Sequence, residues 1–139
     1  MGASVDDLKD VFIKQVRSVL ELAVPAWNAA LSQVEKKDIE RVQKTALHII
    51  LGDSYHSYVN ALDIVKLETL EARRHKLCLK FARKAAAHPK HSNWFRLNMN
   101  TVNTRQEKPL YCPVYSNHDR FDRSPLAYLT NLLNDDHKS

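Results

Sequence analysis

Glycine is almost missing from this sequence: 2 occur in 139 residues, where an average usage of roughly 7% would give about ten. Architectures dense in tight turns need glycine at positive φ, and phosphate-cradling loops need it where the backbone approaches a ligand. Both are therefore disfavoured, and helices are favoured. Cysteine is scarce as well. Cys78 and Cys112 could close one disulfide at most, which excludes a disulfide scaffold and makes a reducing compartment the default. No run of about 18 apolar residues occurs, so no membrane-spanning helix and no membrane partner are expected. The opening Met1-Gly2-Ala3-Ser4-Val5-Asp6 lacks the basic and apolar regions of a secretory signal, and Asp6 breaks the myristoylation pattern. An intracellular location, nuclear or cytoplasmic, is the expectation. No Gly-x-Ser-x-Gly elbow is present to expose a catalytic serine.

What is present is ordinary in amount and informative in order. Apolar residues at 44% and charged residues at 27% are globular values, which exclude wholesale disorder. Residues 5–23 read as a first helix with Leu8, Phe12, Val16, Val19 and Ala23 on one face. Ser4 and Asp7 stand as N-cap and N3, and Pro25 is expected to end the helix. Ser32-Gln33-Val34-Glu35 is a capping box that opens a second helix running to about Leu51, with Gly52 as its left-handed terminator. Its expected apolar stripe is Ile39, Val42, Ala46, Ile49 and Ile50. A short helix with Tyr58, Ala61 and Leu62 follows. Thr69 then caps a third main helix reaching about Ala87, with Leu70, Leu77, Cys78, Phe81, Ala82 and Ala85 as its apolar positions.

Periodicity is lost between residues 88 and 123, which reads as an irregular arm wrapping the surface. Ser124-Pro125 restarts a helix, with Leu126, Leu129, Leu132 and Leu133 on its apolar face. Beyond Asn134 a frayed polar tail is expected. The fold class is thus all-α. Residues 1–88 are expected to form a compact bundle of three main helices, 89–123 the irregular arm, and 124–139 a short C-terminal helix and tail.

The charge excess is modest, 21 Lys+Arg against 16 Asp+Glu, but it is concentrated. Residues 69–88 carry Arg73, Arg74, Lys76, Lys80, Arg83 and Lys84 against Glu71 alone, enough to account for the whole net charge. On the second helix, Lys37, Arg41, Lys44 and His48 point roughly 160° away from the apolar stripe. These residues, with Arg73, Lys76, Lys80, Arg83 and Lys84, are the candidate contacts to nucleic-acid phosphates. Binding of that kind is salt-dependent and largely blind to sequence. Such faces also occur simply as solvated helix surface. Arg74 falls in the apolar phase of its helix and is expected to be structural, with Glu21, Glu40 or Glu71 as its carboxylate.

His75, Cys78, His88, His91 and Cys112 raise zinc as a question. Cys78 lies in an apolar stripe about 60° from His75 in helical phase, and Cys112 stands in irregular sequence, so no metal and no cofactor are expected. Trp94, Tyr111 and Tyr115 stand among basic residues and suit either base stacking or packing of the arm onto the core.

Read in order, the segments resemble the region after the palm in reverse transcriptases of non-LTR (LINE-type, jockey-like) retrotransposons. The resemblance runs through Arg17-Ser18-Val19-Leu20-Glu21 with Pro25-Ala26-Trp27, and through Glu40-Arg41-Val42-Gln43-Lys44 with Ala46-Leu47-His48-Ile49-Ile50. Its most specific block is Arg73-Arg74-His75-Lys76-Leu77-Cys78-Leu79-Lys80-Phe81-Ala82-Arg83-Lys84. Ser124-Pro125-Leu126-Ala127-Tyr128-Leu129-Thr130-Asn131-Leu132-Leu133-Asn134 is similar to that family's usual end. The chain departs from the family pattern at Leu22, Ala26, Thr45 and His48, and it has no Tyr-x-Asp-Asp motif. The resemblance implies a helical, thumb-like element without catalysis of its own. It would grip an RNA or RNA–DNA template–primer backbone beside a separate polymerase palm domain. The other reading is a helical protein-interaction remnant of a mobile element without nucleic-acid affinity.

Overall fold

The computed structural model describes residues 2–99, 108–114, 121 and 123–139. The fold is all-α: helices α1 (Val5–Val11), α2 (Ser18–Leu20), α3 (Val24–Trp27), α4 (Gln33–Leu51), α5 (Tyr58–Val65), α6 (Leu70–Ala87) and α7 (Pro125–Lys138). A π-helical segment, Phe12–Arg17, joins α1 to α2. Among the described residues the sole β-like pairing is an isolated antiparallel bridge, Leu97 to Tyr111. The chain packs as two compact units, one of Met1–Val24 with Leu31–His75 and the other of Pro25–Ala30 with Lys76–Ser139. The division therefore falls inside α6, ahead of residue 88 where the sequence loses its periodicity.

In the first unit the helix starts follow their capping chemistry. The Ser4 hydroxyl accepts the Asp7 N–H at 3.1 Å while the Asp7 carboxylate accepts the Ser4 N–H at 3.3 Å. Ser32 and Glu35 repeat this at α4, with distances of 3.3 and 2.7 Å. The cap hydrogen bonds hold the Glu35 carboxyl below its ordinary pKa, as expected for an anion stabilised at a helix N-terminus. At the other end of α4, Gly52 has φ 51° and ψ −125°, a conformation essentially confined to glycine.

The first helix departs from expectation. Its i→i+5 hydrogen bonds each span one more residue than those of an α-helix, so the apolar phase drifts. Leu8 and Phe12 still reach the core, whereas Val16, Val19 and Ala23 are exposed, Val19 at 69%. The helix stops at Leu20, and the turn is made by Ala23 with φ 51° rather than by Pro25. Pro25 sits in the first turn of α3, where its missing N–H costs no intrahelical bond.

A second correction concerns α4. Val42 and Ile49 are exposed, at 40% and 68%, while Gln43, Leu47, Ile50 and Leu51 are buried. The buried side of α4 is thus rotated by one residue from the most hydrophobic stripe. The rotation buries Gln43 because the residue has polar work there. Its Nε2 donates to the Tyr58 hydroxyl at 3.1 Å and to the Glu68 carbonyl at 2.9 Å. The apolar core of this unit is Phe12, Leu47, Ile50, Leu51, Ala61, Leu62 and Val65.

In the second unit, Cys78, Ala82, Ala85 and Phe95 are buried, as are Ala127, Leu129, Leu132 and Leu133 of α7. Phe81, expected inside, is 41% exposed. The expected frayed tail is also corrected: α7 continues to Lys138. Asn134 is buried, and its amide bonds both backbone groups of Tyr111, accepting at 2.8 Å and donating at 3.0 Å. That two-way bond satisfies a backbone with no sheet partner at that edge. The described parts of the expected irregular arm hold a 3-10 turn, Ser92–Trp94, and the Leu97–Tyr111 bridge, closed by Asn98 N–H to Leu110 O at 2.9 Å.

The rotated core of α4 is testable by chemical denaturation. Leu47→Ala removes a fully buried side chain and is expected to cost about 2–5 kcal/mol. Ile49→Ala, on the exposed side, is expected to change stability by no more than about 0.5 kcal/mol. Equal losses at the two positions would restore the stripe read from hydrophobicity.

Candidate nucleic-acid interface

Each basic face follows from what its helix buries. With Gln43, Leu47 and Ile50 turned inward, α4 leaves Lys37, Arg41, Lys44 and His48 exposed together. Three of them have neighbours that steer the side chain. Lys44 Nζ lies 5.1 Å over the Tyr58 ring, within cation–π range. The His48 ring is 5.0 Å from that of Tyr55. Arg41 is 3.4 Å from Asp38 in an exposed pair, a contact of small energetic weight.

On α6 the expected residues separate into two groups. Lys76, Lys80, Arg83 and Lys84 are exposed. Arg73 is drawn inward and committed: its Nε and Nη2 each donate at 2.8 Å to the two oxygens of Glu21, and Glu68 lies 3.7 Å away. The Glu21 hydrogen bond raises the Arg73 pKa further, against the opposing effect of burial. A bidentate arginine–carboxylate pair of this geometry is among the stronger polar contacts in proteins. Arg83 makes a similar fork to Asp136, with Nε at 2.9 Å, and this pairing holds the Asp136 carboxyl below its ordinary value. That pair is solvent-exposed, so its main effect is to fix where the guanidinium points. Lys76, Lys80 and Lys84 are the exposed lysines of this face.

Arg74 is buried at 3% exposure, as its helical phase predicts. Glu21, however, serves Arg73 and Arg17, the latter at 3.4 Å. Arg74 lines, together with Glu40 and Glu71, a feature that periodicity did not reveal. A cleft of about 230 Å³ in the first unit is lined by Gln33, Lys36, Lys37, Glu40, Lys44, Glu71 and Arg74. Four cations and two carboxylates give it a positive balance. Lys36 was missed because it lies one position off the face of Lys37, Lys44 and His48. The i, i+4 series Lys36, Glu40, Lys44 is the signal that could have found it.

Below this cleft the chemistry is structural. The Tyr58 hydroxyl donates to Glu40 Oε1, which also accepts the Leu70 N–H at 3.2 Å. Glu40 thereby satisfies one of the unpaired amides at the start of α6. Burial, followed by the bond to Glu40, pushes the Tyr58 phenol well above its ordinary pKa of 10.0.

Among the described residues no cluster of His, Cys, Asp and Glu could hold a metal ion. Cys78 is buried, and His88 and His91 face each other as stacked rings with centroids 4.9 Å apart. Tyr111 packs edge-on against Phe95 at 6.0 Å, while Trp94 is 46% exposed. Tyr115 lies outside the described residues. Among the described residues no helix is long and apolar enough to cross a membrane.

The raised Tyr58 pKa has a consequence for stability. The folded state keeps its phenolic proton at pH values where the unfolded chain has lost it. The contribution is complete below about pH 10 and falls as pH rises beyond that value. Thermal melts from pH 9 to 11.5 should show a steeper fall for the wild-type protein than for Tyr58→Phe. Parallel pH profiles would mean the phenol is not preferentially protonated in the fold.

Compared with protein-family models, with curated proteins and with solved structures, the chain matches none.

Proposed function

We propose that this chain is a non-catalytic, thumb-like nucleic-acid-binding element of a LINE-type reverse transcriptase. In this reading it holds an RNA or RNA–DNA template–primer duplex by its backbone, and nucleotidyl transfer belongs to a separate palm domain. The observation that carries the reading is a long stretch of sequence with one charge sign, most of whose cations are exposed. From residue 72 to residue 106 the sequence contains no Asp or Glu. Over the same stretch Lys76, Lys80, Arg83, Lys84, Lys90 and Arg96 are exposed. A solvated helix surface that serves only solubility usually mixes signs, because unrelieved repulsion gains nothing for the fold. Phosphate recognition needs the opposite, several exposed cations close together in the chain so that they can replace condensed counterions. In the first unit, the exposed face of α4 is a separate basic surface with Lys37, Arg41, Lys44 and His48. Arg73 is removed from the set of phosphate contacts by its fork to Glu21, and Arg83 is held by Asp136.

The resemblance across residues 73–84 and 124–134 supports the choice of a polymerase thumb over other basic helical domains. The alternative of a protein-interaction remnant is favoured by a different observation: Val19 and Leu22 are 69% and 72% exposed, apolar surface that a partner protein could cover.

Fluorescence anisotropy with a mixed-sequence RNA–DNA duplex separates the two. Affinity is expected to fall by about 10³-fold or more between 50 and 200 mM salt. Lys80→Glu with Lys84→Glu should abolish binding while leaving the helical circular dichroism unchanged. No binding at 50 mM salt would overturn the proposal in favour of protein interaction.

A further inference from the structure

Where α6 ends, the chain sets three rings in a row at intervals of three residues. His88 stacks on His91 with centroids 4.9 Å apart and planes 29° from parallel. His91 in turn lies 4.4 Å from Trp94 at 39°. The backbone holds this spacing through a continuous run of turns. His91 N–H and Ser92 N–H both donate to the His88 carbonyl at 2.9 Å, and Trp94 N–H donates to the His91 carbonyl at 2.9 Å. Lys90 N–H reaches His88 Nδ1 at 3.2 Å, which fixes the first ring.

The row is not needed to close the core. That task belongs to Phe95, the very next residue, which is buried at 4% and meets Tyr111 edge-on. The segment thus carries two aromatic sets, an inner pair and an outer row. In the outer row the middle ring, His91, is half-buried, and both end rings, His88 and Trp94, are exposed. Lys84, Lys90 and Arg96 stand near it in sequence, all exposed, within the stretch free of Asp and Glu.

We infer that His88, His91 and Trp94 form a stacking platform for an unpaired base of a nucleic-acid strand, with the neighbouring cations holding that strand's phosphates. An exposed ring at the end of such a row offers a π-face of nucleobase size, and bases of any identity stack on such faces. The inference rests on the nucleic-acid reading above and adds to it a preference for single-stranded segments, which a backbone-gripping helix face does not supply.

The test uses the full chain at 50 mM salt with three probes: a 12-mer of uridylate, the same length of strand carrying abasic sites, and a 12-base-pair duplex. Trp94→Ala should weaken single-strand binding by about 5- to 100-fold and leave duplex binding within twofold. Wild-type protein should discriminate against the abasic strand by a similar factor, and Trp94→Ala should lose that discrimination. In a Trp27→Phe background the fluorescence of Trp94 should be quenched by the uridylate strand and not by the duplex. Equal affinity of wild-type protein for the normal and abasic strands would overturn the inference without any variant, while duplex binding would leave the nucleic-acid reading standing. Failure to bind any of the three probes would overturn both.

Discussion

The arrangement of the first unit depends on one carboxylate and one amide placed a single turn apart on α4. Glu40 and Gln43 together bind the Tyr58 hydroxyl, the Glu68 carbonyl and the Leu70 N–H. Three separate elements, α4, the start of α5 and the start of α6, are therefore tied at one point. Buried polar groups are costly unless satisfied, so this knot tolerates few alternative registers. It fixes the rotation of α4, and that rotation decides which residues face water. The exposed basic face of α4 and the exposure of Val42 and Ile49 are both consequences of where Gln43 must sit.

Carboxylates then sort the cations of α6. Glu21 takes Arg73 in a fork, and Asp136 takes Arg83. Each pairing converts a residue that looks like a phosphate contact into one with a positional duty. Lys76, Lys80 and Lys84 stay exposed, and a lysine's mobile, strongly hydrated ammonium suits sequence-blind contact with a backbone better than a committed guanidinium does. The candidate interface is thus smaller than the basic composition of α6 suggests, and more uniform in chemistry.

Much of this was legible in the residues. Capping chemistry at Ser4, Ser32, Thr69 and Ser124 placed the starts of α1, α4, α6 and α7, because a cap is a local bond between residues three apart. Helical phase alone placed Arg74 among the apolar positions of its helix, and it is buried. The errors share a cause: each involves a partner distant in sequence or a backbone state that no side-chain pattern encodes. The π segment shifted Val16 and Val19 to solvent, Tyr58 and Glu68 drew Gln43 inward, and Tyr111 anchored Asn134 and so ordered the last turns of α7. Hydrophobicity at Ile49 pointed the wrong way because the two hydrogen bonds donated by the Gln43 amide to Tyr58 and Glu68 outweighed one exposed isoleucine.

By itself, the sequence determined the helical class, the helix starts and the concentration of positive charge between residues 69 and 88. Those are properties of short range: caps, periods and composition. Only the tertiary structure decided which cations are neutralised, which side of α4 is buried, and that His88, His91 and Trp94 stand as a row of rings. The first two depend on groups up to 53 residues apart, as in Arg83 with Asp136, whose meeting no local pattern records. The row of rings depends on a run of turns that hydrophobic periodicity does not mark.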